Sequence, residues 1–538
     1  MLFRRIHMLF LAGLPTLLQA QDTINRIDPI GVQVTYEPNL RDARKIDLTP
    51  ETEKRRFEVP RLEYSIYPVQ WDARRVVKVQ PPSKIKINGD SSGTPNYAKA
   101  GYGLYNFKHL GVYLANRPNP KYSYGVKLHH LSADQNNSSR DFSDNSILLS
   151  GSRFFNRSSF TGVVSYDRNM VRFYGMDTSF RAEGVETRKI TDAWKFSTRY
   201  ENKELGKKPG FYAGFSFQQF GTNLNQSESE LNAEAGAHKN LKTGRIAADF
   251  GLGTLNVKQD TNNQNILFFD VRPSYRFHKK KTEVSAGFNA TYLVQGKIAD
   301  FYINPVVHAE YQLMPDAVRV FGGISGGVQR NSLSRMNQTN PFLYDSIALR
   351  QTYESFSIYG GAKGKITNNS EFRVTLSHRN LIDMPLYINS GDSLNSFMPV
   401  YDNIGITRLN PEVRFGVGEK FKLSLSGMLN AYNLESEARA WQLPNTEFKV
   451  DATYQIGNKI RISAYVHGMG TRYQQIYLKQ NNLKVKGFMD ANLMTEYHLS
   501  ERFRVWLNLA NMTSNSYQYW YRYPRYGFTA LGGLAVSF

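Results

Sequence analysis

From Phe421 to Asn430 the chain reads FKLSLSGMLN, an unbroken alternation. Phe421, Leu423, Leu425, Gly427 and Leu429 fall on one face of an extended strand, Lys422, Ser424, Ser426, Met428 and Asn430 on the other. KIRISAYVH repeats the pattern, with Ile460, Ile462, Ala464 and Val466 opposing Arg461, Ser463, Tyr465 and His467. In NLKVKGFMDANL, Leu483, Val485, Met489, Ala491 and Leu493 oppose Lys484, Lys486, Asp490 and Asn492. Such runs, ~9 to 15 residues long, recur from Asn96 onward. A strand of a soluble sandwich runs only ~5 to 6 residues and buries its apolar face on a second sheet. A tilted strand of ~9 to 11 residues crosses a hydrocarbon core, apolar face to lipid and polar face to a wet lumen. The expected class is all-β, a transmembrane antiparallel β-barrel. A soluble secreted β protein is the competing reading, which strands of this length disfavour.

Ten short polar turns punctuate the runs, at RPNPK, FFNRSS, ELGKKPG, NLKTG, HKKKTE, LMPDA, ITNNSE, GEKF, IGNK and LSERF. Between them lie longer connections: SADQNNSSRDFSDNS, GTNLNQSESE, the stretch from Ser332 to Tyr353 and that from Pro385 to Asn395. Outer-membrane barrels have short periplasmic turns and longer external loops, so ten short turns with both chain ends in the periplasm predict about 22 strands. The glycines of FGGISGGV, Gly322, Gly323, Gly326 and Gly327, suit close backbone approach in a curved wall.

The final stretch, FTALGGLAVSF, places Phe528, Ala530, Gly532, Leu534, Val536 and Phe538 on one face and Thr529, Leu531, Gly533, Ala535 and Ser537 on the other. An apolar face carried to the last residue suits a strand that closes a barrel in lipid. Phe528, Leu534, Val536 and Phe538 are therefore expected to face lipid. By the same alternation Lys422, Arg461, Lys484 and Arg504 are expected to line the lumen.

At the other end, MLFRRIHMLFLAGLPTLLQA sets Arg4 and Arg5 ahead of an apolar run from Met8 to Leu18, the layout of a secretory signal cleaved between Ala20 and Gln21. No other stretch approaches the ~18 uninterrupted apolar residues of a membrane helix. The expected organisation is a signal peptide over 1–20, an N-terminal extension over 21–94 and the barrel over 95–538. A mean hydropathy of -0.48 beside 13% aromatic residues fits a wet lumen framed by aromatic girdles. With no cysteine, disulfides, thiolate metal sites and Cys nucleophiles are excluded. Loss of Arg4 and Arg5 leaves about +19 of the +21 formal charge. The basic residues are scattered through alternating strands rather than gathered in a stripe, which argues for lumen and headgroup surfaces and against nucleic acid.

The stretch NLANMTSNSYQYWYRYPRYGFTALGGLAVSF resembles the end of TonB-dependent receptor barrels, especially those of Bacteroidota, Gram-negative bacteria. Those read N-L-x-N near the penultimate strand, then a Tyr/Trp-rich run, Y-P, a Gly, and a last strand closing on Phe. Asn508, Leu509, Asn511, Tyr517, Trp520, Tyr523, Pro524, Gly527, Gly533 and Phe538 occupy that pattern. The resemblance implies an outer-membrane barrel of transport type, inserted by the barrel assembly machinery, which reads the last strand. In physical terms Tyr517, Tyr519, Trp520, Tyr521 and Tyr523 are candidates for an interfacial aromatic girdle. The family also carries a plug domain of over a hundred residues, for which 21–94 leave no room. No TonB box is evident, although IGVQVTY alternates as a strand-adding segment would. A barrel without a full plug needs its lumen filled by the extension or by a periplasmic or lipoprotein partner. This opens a second reading, a non-transporting subunit or scaffold of a larger outer-membrane assembly or secretion complex.

No catalytic constellation emerges, and no cofactor or metal is expected. His129 and His130 are adjacent, so on a strand they point to opposite faces and cannot chelate one metal. The loop with Asp134, Asp141 and Asp144 lacks a calcium-loop spacing. FGVGE and GYGLY lie in strands, without the strand-to-helix turn of a phosphate loop. The tripeptides Asp22-Thr23-Ile24, Asp345-Ser346-Ile347 and Asp392-Ser393-Leu394 resemble the D-S/T-aliphatic acceptor of Bacteroidota O-glycosylation, a pattern short enough to arise by chance.

Overall fold

The computed structural model describes residues 96–538 except 117–118, 135–139, 176–186, 205–207, 261–262, 316, 345, 392–394, 419, 478 and 480–481. The expected signal peptide with its predicted cleavage between Ala20 and Gln21, the expected 21–94 extension, Asp345 and the tripeptides at 22–24 and 392–394 lie outside the described residues.

The alternating runs form one sheet of 22 antiparallel strands, beginning with Tyr97–Gly103 and ending with Thr529–Ser537. These two pair with each other, Tyr97 opposite Ser537 and Gly103 opposite Leu531, and so close the sheet into a barrel that has no free lateral end. All ten predicted turns join neighbouring strands at the end of the wall where Tyr97 and Ser537 lie. At the opposite end, the mouth, the connections are not uniformly long. Leu104–Asn106, a single 3-10 turn, joins the first two strands, and Gly296 and Lys297 alone join Thr282–Gln295 to Ile298–Met314. Pro385 to Asn389, expected in a loop, belong to the strand Ser370–Asn389, which with its partner Phe397–Val417 rises highest above the wall.

Alternation sorts the side chains as physical chemistry requires. In Phe421–Leu434 the Leu425 and Leu429 side chains are exposed on the outer face, whereas Asn430 is buried on the inner one. Inner faces carry cross-strand ion pairs such as Lys363 to Glu310 at 2.6 Å and Arg414 to Glu371 at 3.0 Å. At the closing seam Trp506 lies inward, in register with Gly533, which is itself opposite Gly101. A Cβ on Gly533 would meet the Ala100 carbonyl, while the indole covers Gly101, where a Cβ would stand 2.3 Å from its Cζ2. Leu531 and Ala535 pack beside it, and the Lys99 ammonium sits 4.0 Å above its ring.

One strand departs from the regular wall. Val318–Gln329 pairs with Ile298–Met314 only as far as Ile324 opposite Val307. Its ladder to Thr352–Thr367 breaks register between Ser325 and Gly327, then continues to Gln329 opposite Thr352. Gly327 has φ 150, a conformation that a residue with a Cβ rarely adopts, which explains the bend at this point of the FGGISGGV run.

Candidate functional site

Beyond the bend, residues 330–351 pass inward across the mouth. Ser332 caps a short helix α1 (Leu333–Thr339), its Oγ accepting from the Arg335 amide at 3.2 Å. Inner-face side chains of distant strands hold the segment down. Glu228 accepts from the Leu333 and Ser334 amides, and Glu230 takes Arg335 at 2.9 Å and 3.2 Å. Arg330 pairs with Asp270 and donates to Asn232 at 2.6 Å. Further along, the Lys189 ammonium donates to the Leu343 carbonyl at 2.9 Å. Gln259 clamps the Ile347 backbone from both sides, donating at 2.8 Å and accepting at 2.7 Å. Gln295 donates to the Leu349 carbonyl at 2.7 Å. The tethers from Glu228, Lys189, Gln259 and Gln295 satisfy backbone groups that the inward path takes out of water, while those of Glu230, Asp270 and Asn232 hold the Arg330 and Arg335 side chains.

Across the mouth the segment meets other connections in an aromatic knot. Phe342 stacks on Tyr523 with ring centroids 3.7 Å apart and 19° between planes. Tyr174 sits edge-on to both, at 5.9 Å and 4.9 Å, and its hydroxyl donates to the Pro524 carbonyl at 3.1 Å. Phe397 packs edge-on to Trp520 at 5.3 Å. A second apolar cluster, around the fully buried Trp441, roofs the neighbouring strands through Leu386, Ile388, Ile404 and Ile406. Arg472 then ties two connections together: its guanidinium donates to the Tyr519 and Gln518 carbonyls, the latter at 2.5 Å. Burial lowers the Arg472 pKa to about 10, still charged at neutral pH. The described connections thus bridge the mouth with a packed layer, while inner-face groups nearer the ten turns, such as Lys422, remain exposed.

Two sequence expectations are corrected. The aromatic run does not form an outward girdle: Trp520 is 8% and Tyr523 1% exposed, both within the knot. Tyr519 and Tyr521 pack against the same cluster, and Tyr517 stacks on Phe488 at 4.1 Å while donating to Asp490 at 2.9 Å. Five aromatics over seven successive positions occupy both parities of an extended chain, so they cannot all face lipid, and this mixed parity is the sequence signal for their inward place. Lys484 is not in the barrel wall. It lies on Leu483–Val485, which pairs with Arg472–Gln474 in a small separate sheet at the mouth, and the wall strand starts at Phe488.

The other candidates are placed as follows. Lys422 shares the inner face with Ser424 and Ser426. Arg461 lies in the wall strand Ile460–Met469 opposite Glu496, and Arg504 donates to Ser537 at 2.8 Å. On the closing strand Leu534 is 59% and Phe538 52% exposed, Phe528 is exposed and Val536 is half-buried. His129 and His130 do separate: His129 nears His109 and His130 contacts Asn145 at 2.6 Å. Among the described residues no three His, Asp or Glu side chains converge as metal ligands. The tethers Glu228, Gln259 and Lys189 and the keystone Phe342 carry no sequence signal beyond their place in polar or loop stretches.

A closed wall of 22 alternating strands defines the class, a large β-barrel of the outer-membrane type. No family model matches the sequence, and no curated protein does. Solved structures share the architecture at low identity. The ferric-catecholate import receptor Fiu of E. coli K12 is 9% identical, with TM-score 0.63 over 83% of this chain and 82% of that one. The pyoverdine outer membrane receptor FpvA of Pseudomonas aeruginosa PAO1 is 8% identical, with TM-score 0.66 over 83% and 79%. The FrpB iron transporter of Neisseria meningitidis, F3-3 variant, is 10% identical, with TM-score 0.65 over 84% and 82%. At such identities the likeness concerns the fold.

Proposed function

We propose that this chain is an outer-membrane barrel of the TonB-dependent receptor type, from a Gram-negative bacterium of the Bacteroidota, that carries a polar or anionic solute across the outer membrane. The observation that supports this most is the wall itself, 22 strands with a charged inner face, an architecture shared with a ferric-catecholate import receptor and an iron transporter. In this reading residues 1–20 export the chain, the ten short turns face the periplasm, the barrel assembly machinery inserts it, and Lys422, Arg461 and Arg504 bias the lumen toward anions. The experiment is electrical: the purified chain, with and without residues 21–94, is recorded in planar bilayers. Anion-selective conductance in either form supports transport, and silence of both rejects it.

The bridged mouth favours a second reading, a non-transporting barrel that serves as subunit or scaffold of a larger outer-membrane complex, with a periplasmic or lipoprotein partner. Gentle detergent extraction distinguishes the two. A stoichiometric partner together with electrical silence supports the scaffold, and a conducting monomer removes it.

A further inference from the structure

We propose that the mouth half of the strand Ile298–Met314 is an open edge that takes up an extended peptide of a partner chain as an added strand. Its neighbour on one side, Thr282–Gln295, follows it to the tip, Gln295 opposite Ile298. On the other side pairing stops at Val307, because Val318–Gln329 bends inward at Gly327 to deliver residues 330–351 to the mouth. Among the described residues one row of main-chain groups from Ile298 to Val306 therefore lies on an edge, and a slit opens on the outer side of the upper wall, bridged on the inner side by Asn304, which donates to the Ser355 carbonyl at 2.8 Å, and by Tyr302 against Tyr353.

The pleat identifies the row. In a hairpin with a two-residue turn the closing pair exchanges both hydrogen bonds, so Ile298, Asp300 and Tyr302 spend theirs on the neighbouring strand. Ala299, Phe301 and Ile303 then turn their N–H and C=O toward the slit. Pro305, next in that row, has no N–H, as is characteristic of an edge. Side chains add an apolar grip: on the outward face Phe301 is 65% and Ile303 58% exposed. Lipid does not account for all of it. Outward positions run without a charge from Ala299 to Leu313. At ~3.3 Å per residue and a tilt of ~40° that run stands ~35 Å tall, against an apolar band of ~25 Å. Tyr311 and Leu313, exposed beside the turn, set the lower edge of that band, so the excess falls at the mouth end, where exposed apolar surface beside a free edge invites strand addition.

A second copy of this chain is the wrong shape for the slit. Two copies in one membrane with the same orientation are related by an axis along the membrane normal, so edges tilted ~40° would cross at ~80° instead of lying alongside. The chain enters the wall at Tyr97, at the turn end and opposite the mouth, so the occupant is taken to be an extended segment of a different chain, apolar at alternate positions, rather than residues 21–94.

The test uses the full chain in lipid nanodiscs and two fluorescein-labelled octapeptides of alternating valine and threonine. One is unmodified; the other is N-methylated at alternate residues, which keeps the side chains and removes one row of donors. The expected result is saturable binding of the first peptide, at least tenfold weaker for the second. Ile303→Pro should weaken binding by a similar factor and Ile303→Val should not. Unchanged octapeptide binding on deletion of residues 21–94 is the expected result, and a gain of binding on that deletion would overturn the choice of occupant. Heat-modifiable mobility reports that each variant retains its barrel, and the comparison of the two peptides on the unaltered protein does not depend on the variants folding. Equal binding of the two peptides, absence of saturable binding, indifference to Ile303→Pro, or dimers cross-linked through Ala299→Cys would each overturn the proposal.

Discussion

Removing the Phe342 ring takes away the centre of the knot that bridges the mouth. The ring is 8% exposed and touches residues from two other connections, Tyr174 and Tyr523. Truncating a buried Phe to Ala costs ~3 to 5 kcal/mol when the surroundings cannot collapse into the space. Here partial collapse is open to a loop layer, so the lower figure applies. Local opening of connections draws on a smaller free energy than global unfolding, so a loss of ~3 kcal/mol changes the closed-to-open ratio by about two orders of magnitude. The chain has no cysteine, which permits a clean readout. Leu343→Cys places a thiol at a side chain that is fully buried beside the ring. Its labelling by a membrane-impermeant maleimide should accelerate about a hundredfold when Phe342→Ala is added, and about tenfold with Phe342→Leu, which keeps most of the volume. Labelling at the same rate in all three backgrounds, with heat-modifiable barrels throughout, would refute the idea that this ring holds the mouth layer together.

Other perturbations test other parts of the wall and mouth. Arg472→Lys should lose the paired donation to the Gln518 and Tyr519 carbonyls, each bond to the charged group being worth ~1.5 to 3 kcal/mol; faster trypsin cleavage at Arg522 or Arg525 in the assembled barrel is the measurement. Gly101→Val should lower the yield of heat-modifiable protein, because its Cβ would meet the Trp506 ring at 2.3 Å and the Gly532 carbonyl at 2.9 Å. Adding Trp506→Ala should restore part of that yield, and no rescue would mean that the ring is not the obstacle. On the closing strand, assembly should fall more for Leu534→Lys, several residues into the wall, than for Phe538→Lys at its end, since a charge costs ~2 to 4 kcal/mol at mid-depth and ~0 to 1 near an interface. Ser537→Asp, beside the Arg504 guanidinium at 2.8 Å, should assemble normally; a defect equal to that of Leu534→Lys would break the two-face assignment.

What the sequence made legible is what local periodicity encodes. In Phe421–Leu434 or Ile460–Met469 each residue reports its own face, because a period of two fixes orientation without reference to any distant partner. The ten turns at one end were equally readable: each interrupts the alternation with polar residues, glycine or proline over a few positions. The mouth was not readable, and the reason is separation along the chain. Phe342 meets Tyr523, and Glu228 meets Leu333, only because the closed wall holds their connections over the same opening. An aromatic in a loop and an aromatic at a membrane interface share the same composition, and only the mixed parity of Trp520 with its neighbours distinguishes them locally. The short strand of Lys484 keeps the parity of the wall strand that follows it, so alternation alone does not reveal the break before Phe488.

Gly327 links the readable part to the hidden part. The FGGISGGV run signals close approach and curvature, but not what the bend is for. In three dimensions the bend sends residues 330–351 inward, where inner-face Glu228, Gln259 and Lys189 satisfy backbone groups that would otherwise be buried unpaired. The same bend withdraws a strand from Ile298–Val306. Covering the mouth and uncovering an edge are therefore two consequences of one backbone conformation. A residue with a Cβ at position 327 would be strained at φ 150, so Gly327→Ala should loosen α1 and alter the slit together. Faster labelling of Leu343→Cys without any change in octapeptide binding would show that the two features are not coupled through this residue.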